Sequence, residues 1–200
     1  VLAELLAGAD VLVENFRPGT LDKMGLSAER LEAINPRLIV CSINGFGSSG
    51  PYADRPAFDF IAQAMSGFMS VNGAPDQPPM RTAPPMSDLV AGLYGALGVV
   101  SALQARAATG RGQRIETALT NGLISMLAYL SSEFFATGAV PERTGNDHPL
   151  VAPYGLFQAA DGTVAVAPSN DTFVRRFLEA IELGHLLDDP RYDDNAKRMA

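Results

Sequence analysis

Cysteine, histidine and lysine are scarce in these 200 residues, and each scarcity removes a class of protein. One cysteine, Cys41, excludes an internal disulfide framework and suits a reducing compartment, so a cytoplasmic location is expected. The two histidines, His148 and His185, are 37 positions apart with no Cys or carboxylate pattern around them, and no metal site is expected. Lys and Arg together number 15 against 22 Asp and Glu, a net charge of −7. Nucleic-acid binding needs a surplus of cations to neutralise phosphates, so this balance argues against it. Long apolar runs are also missing. The apolar stretch Leu89 to Leu103 has 15 residues without a charge and three glycines, short of the ~18–20 that cross a bilayer. A buried core helix is expected there, and no membrane partner.

What is present reads as an α/β layer. Val1 to Gly8 has the look of a helix end, and Val11-Leu12-Val13 of a short apolar strand running into Glu14-Asn15. Two helical segments follow, with Thr20 expected to cap the first and Ser27 the second, which stops before Pro36. Leu38 to Ile43 is continuously apolar, the pattern of a strand covered on both faces as in a parallel sheet. The 22 residues between Asn15 and Leu38 suffice for a crossover.

Residues 57–72 read as a helix, and 73–86, with five of the 14 prolines, as an ordered extended loop. Two long helices are expected next, over about 88–108 and 115–137. The first carries Gly92, Gly95 and Gly98 at spacings of three, which allows close approach. The second carries Ile115, Leu119, Leu123, Met126, Leu130 and Phe134 as a stripe. Thr109 to Gln113 reads as the turn between them. Residues 1–139 thus form one domain and 140–149 a turn-rich linker. From 150 to 200 a smaller α+β domain begins, with a hairpin at Asp161-Gly162 and a helix from about Asp171.

Three places carry candidate chemistry. Gly45-Phe46-Gly47-Ser48-Ser49-Gly50 matches the dinucleotide fingerprint after a strand, but Pro56 would break the helix that fingerprint requires. A tight turn is expected and no NAD site. Asn15, Phe16, Arg17 and Lys23 stand at the carboxyl end of a parallel strand, where open α/β sheets bind ligands. An amide, a ring and two cations suit a phosphorylated ligand there, but the residues alone favour an ordinary solvated strand-to-helix turn. Asp88 follows the proline loop at the start of an apolar helix. There it is either a cap, shared with Ser87, or an ionised carboxylate held as a nucleophile by the positive end of the helix dipole. Asp59 is a further lone acid, between Phe58 and Phe60.

The runs VLVENFRPGTLDKMG, INPRLIVCSINGFGSSGPYADRPAFDFIAQAMSG, SDLVAGLYGALG and TGRGQRIET, in that order, closely resemble the class III coenzyme A transferases of the formyl-CoA and carnitine-CoA type, relatives of the α-methylacyl-CoA racemases. The resemblance implies a Rossmann-like parallel-sheet large domain, a smaller domain after a linker, and two interlocked subunits. It further implies that this chain is about the middle half of a protein twice as long, whose first strand precedes residue 1.

The activity implied is transfer of coenzyme A from an acyl-CoA to a small carboxylic acid, with Asp88 as the catalytic residue passing through an aspartyl anhydride and an aspartyl thioester. Asn15, Phe16, Arg17, Lys23 and Met24 are then expected to line the coenzyme A site, and Arg55 and Phe58 to border the thioester. Asp59 falls where formyl-CoA transferase has an acidic residue, a candidate substrate contact. The racemases have a catalytic histidine at the position of Phe58, and a phenyl ring moves no proton. The long glycine-rich loop of formyl-CoA transferase is absent from 138–160. An acyl-CoA isomerase or racemase of the same fold, and a non-catalytic assembly subunit, remain as alternatives.

Overall fold

Strand β1 (Val11–Glu14) opens a three-stranded sheet, and the reason is composition: Val-Leu-Val between a helix stop and a Pro-Gly turn. The computed structural model describes residues 1–199. Strand β2 (Ile39–Asn44) lies at the centre, parallel to β1 with Leu12 opposite Val40, and parallel to β3 (Arg114–Ala118) with Cys41 opposite Ile115. Ile39, Val40 and Cys41 are all buried, as a central strand covered on both faces requires.

Alternate residues of β2 meet different layers. Val40 joins Leu6, Leu26, Leu31 and Leu38 in a cluster formed with α1 (Leu2–Gly8), α2 (Thr20–Lys23) and α3 (Ala28–Ile34). Cys41 and Ile43 face α5 (Met86–Thr109), which sits low on the sheet because it presents glycine there. A β-carbon at Gly95 would lie 3.3 Å from Cys41 Sγ, and one at Gly98 only 2.8 Å from Ile115 Cγ2. The glycines therefore accommodate strand side chains rather than another backbone, and Gly92 faces open space.

Four local expectations are corrected. Ser27 does cap α3, accepting from Arg30 N at 3.3 Å, but α2 is capped by Gly19 at φ 77° with Thr20 as its first residue. The helix expected over 57–72 is only α4 (Asp59–Met65), followed by a 3-10 turn at Phe68–Val71. Gly67 at φ 81° breaks it. The helix expected over 115–137 begins instead as β3, then bends into α6 (Leu119–Met126) and α7 (Ala128–Thr137). The turn at 109–113 accordingly joins α5 to a strand, through Gly110 at φ 72°.

The last correction concerns α5, which at 24 residues outruns the charge-free stretch and by length and composition alone reaches bilayer-spanning size. Only one face of it is buried: Val90, Ala91, Gly95 and Ala102 pack inward while Leu89, Leu93, Leu97 and Val100 are exposed.

The chain divides into two compact units, Val1–Val71 with Pro79–Pro141, and Asn72–Pro78 with Glu142–Ala200. Part of the proline loop thus clusters with the second unit. In that unit β4 (Gly155–Gln158) and β5 (Thr163–Val166) form an antiparallel hairpin. Helix α8 (Asp171–Ala180) follows, capped by Asn170, and then α9 (Asn195–Arg198), capped by Asp194.

Candidate functional site

All three parallel strands end on the same side, and the segments leaving them build a cleft of about 530 Å³. Asn15, Phe16, Arg17 and Pro18 come from the end of β1. Ile43, Asn44 and Gly45 come from the end of β2, Arg55 to Phe58 from the loop after it, and Leu119 from the end of β3. Asp88 enters from the first turn of α5. Six of the nine residues singled out from sequence therefore share one cleft: Asn15, Phe16, Arg17, Arg55, Phe58 and Asp88. Lys23, at the end of α2, and Met24 after it are exposed and outside this lining.

The glycine-rich loop is a tight turn, with no helix after it. Asn44 holds it by accepting from Gly47 N at 2.5 Å and donating to Glu116 Oε1 at 2.6 Å; Ser48 Oγ donates to Glu116 Oε2 at 2.8 Å. Gly45 is required by space, since a β-carbon there would meet Ala57 Cβ at 2.5 Å. The loop then stacks on itself: Phe46 and Tyr52 have ring centroids 5.5 Å apart, and the Arg55 guanidinium lies 4.6 Å from the Tyr52 centroid. A cation over a ring keeps its donors free. Arg55 makes no ion pair among the described residues, and neither does Arg17.

The two aspartates play opposite parts. Asp59 Oδ1 accepts from Ser87 N at 2.9 Å and Ser87 Oγ at 3.0 Å, while Oδ2 accepts from Gln63 Nε2 at 2.8 Å. Asp59 is thus the cap of α5, contributed from another helix, and both its oxygens are engaged inside the protein. Neither Ser87 nor Asp88 caps that helix with its own side chain, so the capping explanation of Asp88 is overturned. The Asp88 carboxylate is exposed to the cleft and accepts no hydrogen bond among the described residues. Partial burial pushes its pKa up from the ordinary carboxylate value, and the nearby Asp59 charge adds to this. The helix dipole favours the ionised form, but these two causes oppose it.

Sequence reasoning missed Gln63 and Thr82, and read Ser87 as a cap where it is the residue that Asp59 caps. Gln63 and Ser87 are both fully buried, at 0 % exposure. The signal available for Gln63 was a polar residue inside an otherwise apolar helix, because a buried amide must find partners. Its partners are Asp59 and Thr82, whose N and Oγ1 lie 2.9 and 3.3 Å from Gln63 Oε1. Phe58, by contrast, is 80 % exposed at the end of the loop, its ring bordering the cleft. No cluster of metal-binding groups occurs among the described residues.

Comparison with known proteins bears on this geometry. The family model described as CoA-transferase family III matches residues 1–200. Acetyl-CoA:oxalate CoA-transferase of Acetobacter aceti is 43% identical over 201 residues, covering 100% of this chain and 52% of that protein. Succinate–glutarate CoA-transferase of Agrobacterium fabrum is 40% identical over 200 residues, covering 100% of this chain and 50% of that one. The crystal structure of a CaiB/BaiF family protein from Brucella suis superposes with a TM-score of 0.84 at 42% identity, over 99% of this chain and 52% of that chain. The chain spans about half the length of the relatives it matches.

Proposed function

Because this chain belongs to CoA-transferase family III, we propose that its protein moves coenzyme A from an acyl-CoA to a small carboxylic acid with Asp88 as the nucleophile. The observation that carries this reading is the state of Asp88: a carboxylate in a cleft, unbonded among the described residues, at the start of a helix already capped by Asp59. A structural aspartate would spend its oxygens on that helix end. A nucleophile must keep them free.

The chemistry balances on that one side chain. An Asp88 oxygen attacks the thioester carbonyl and the carbon–sulfur bond breaks, leaving an acyl-aspartyl anhydride and the coenzyme A thiolate. The thiolate attacks the aspartyl carbonyl and expels the donor acid, so coenzyme A is held as an aspartyl thioester. The acceptor carboxylate attacks that thioester and releases thiolate again. The thiolate then takes the acceptor's acyl group from the second anhydride and regenerates the Asp88 carboxylate. Each attack builds an oxyanion, and of the glycine-rich turn it is Gly45, lining the cleft beside Asp88, whose backbone is suited to approach it. Arg17 and Arg55, cationic and without acidic partners among the described residues, suit a ligand with phosphates at one end and carboxylates at the other. Asn15 and Phe16 join them on the coenzyme side, and we place Lys23 and Met24 at the periphery of the same ligand.

We further infer that the acceptor is a dicarboxylic acid. The relatives named above are transferases of oxalate and of succinate and glutarate, all dicarboxylates, and Arg55 offers a second carboxylate an unpaired fork of donors. Racemisation is disfavoured because Phe58 borders the cleft without a group that moves a proton. A homodimer completing the cleft, and a cytoplasmic location consistent with the buried thiol of Cys41, belong to the same proposal.

Asp88→Ala in the full chain is expected to lower transfer by at least about 10³-fold with folding intact. Hydroxylamine added during turnover should form a hydroxamate on the wild-type protein only. Transfer retained in Asp88→Ala overturns the assignment.

A further inference from the structure

Behind the cleft, a closed ring of hydrogen bonds surrounds the origin of α5. Thr82 N donates to Gln63 Oε1, Gln63 Nε2 donates to Asp59 Oδ2, and Asp59 Oδ1 accepts from both N and Oγ of Ser87. The covalent chain from Thr82 through Pro84 and Pro85 to Ser87 closes the loop, and the Thr82 hydroxyl also lies 3.0 Å from the Pro84 carbonyl. Asp88 is the next residue. Gln63 touches none of the cleft, yet it is the one member that bonds to both the proline loop and the acid capping α5.

The amide suits that place for a chemical reason. It offers a donor to the Asp59 carboxylate and an acceptor to the Thr82 N–H, so every polar group in the ring is matched. Leucine fills a similar volume but takes the partner away from Asp59 Oδ2 and Thr82 N, both half-buried. Asparagine in place of Asp59 fails differently. Whichever way its amide turns, its NH₂ meets either the Gln63 NH₂ or the Ser87 N–H.

We propose that Gln63 is a positioning residue for Asp88: its buried amide, acting through Asp59, sets the first turn of α5 from which the carboxylate enters the cleft. This rests on the reading of Asp88 as nucleophile. An attacking oxygen displaced by about 1 Å costs on the order of 100-fold in rate even when its chemistry is unchanged. The charged groups facing Asp88 are Asp59 from α4, Arg17 from the loop after β1 and Arg55 from the loop after β2. The start of α6 contributes Leu119 and no charge.

The test uses the full chain and separates placement from folding. Gln63→Leu and Asp59→Asn should each lower kcat on the order of 100-fold per folded molecule, with KM for the acyl-CoA unchanged. The double variant Asp59→Asn/Gln63→Glu re-matches every bond, because the carboxylate introduced on α4 accepts from the new amide and from Thr82 N. It should recover most of the kcat lost in Asp59→Asn. It also moves the negative charge one link away from Asp88, so the acidic limb of its pH profile should shift to lower pH than in the wild type.

A purely structural role would lower the melting temperature and leave kcat of the folded fraction intact. That result, or a double variant no faster than Asp59→Asn, overturns the inference. Asp88→Ala is the control: if it stays active the nucleophile reading fails. If it is dead while Gln63→Leu keeps its kcat, only the role of Gln63 fails.

Discussion

The two ends of the parallel sheet use the same kinds of polar side chain for opposite purposes. At the amino ends of the strands the bonds are spent. Arg106, nearly buried, donates to the carbonyls of Arg37 and Asp10 and to the Asp10 carboxylate at 2.7 Å. Asn35 donates to the carbonyls of Leu6 and Ala9, and Arg37 to that of Gly110. At the carboxyl ends Arg17, Arg55 and Asp88 have no such partners among the described residues and face a cleft. One end stabilises by matching its polar groups, and the other keeps them unmatched where a ligand can reach. The unmatched end is held in shape from behind, by Asp59, Gln63 and Thr82.

The largest effect that would break this contrast is at the matched end. Arg106→Met should destabilise the protein by about 2–3 kcal/mol, because the Arg37 carbonyl and the Asp10 carboxylate lose their charged donor and the Asp10 carbonyl keeps only Ile39 N, while transfer per folded molecule stays at the wild-type level. Chemical denaturation beside a transfer assay measures both, and lost activity without lost stability would erase the distinction between the ends. Arg55→Leu is the converse at the unmatched end. It should leave the denaturation midpoint in place and raise KM for a dicarboxylate acceptor about 10–100-fold, the loss of one charged hydrogen-bonding group, with little change for a monocarboxylate.

The smallest effect sharpens the comparison most. Asp88 has a raised pKa, so the folded state holds its proton more tightly than the unfolded chain does. Stability contributed by this group therefore falls as pH rises from the ordinary carboxylate value of ~3.9 through the raised one, and at pH 7 the ionised group costs stability. Asp88→Asn should accordingly raise the melting temperature slightly at pH 7, by about a degree or two, and the gain should vanish in acid. A drop at pH 7 would mean that Asp88 is bonded after all.

The sheet strands β1 and β2, the cap at Ser27, the proline loop and the hairpin of the second unit were legible because each is written in contiguous residues. Strand β3 was not. Ile115, Leu119 and Leu123 fall four apart and imitate a helical stripe, although Ile115 belongs to a strand and the others to α6. The counter-signal was the Arg-Ile-Glu-Thr alternation after Gly112, where a β-carbon would fall on the Leu38 carbonyl.

Of the candidate site, the cleft residues were readable from their place after strands. The capping of α5 was not, because Asp59 and Ser87 are 28 residues apart and only the fold joins them. Nor was the setting of Asp88: a helix dipole can be inferred from position in sequence, but a neighbouring charge from another helix cannot.

The seating of α5 on Gly95 and Gly98 carries a last consequence, for genetics. At 1.5 Å per residue Gly98 stands about 15 Å along the helix from Asp88. Its β-carbon space is already taken by Ile115, so any side chain there lifts the helix whose first turn holds the carboxylate. In a collection of inactivating alleles, substitutions at Gly98 should therefore sort with those of the cleft, with folded protein accumulating and activity gone, although a map of distances would class them as remote.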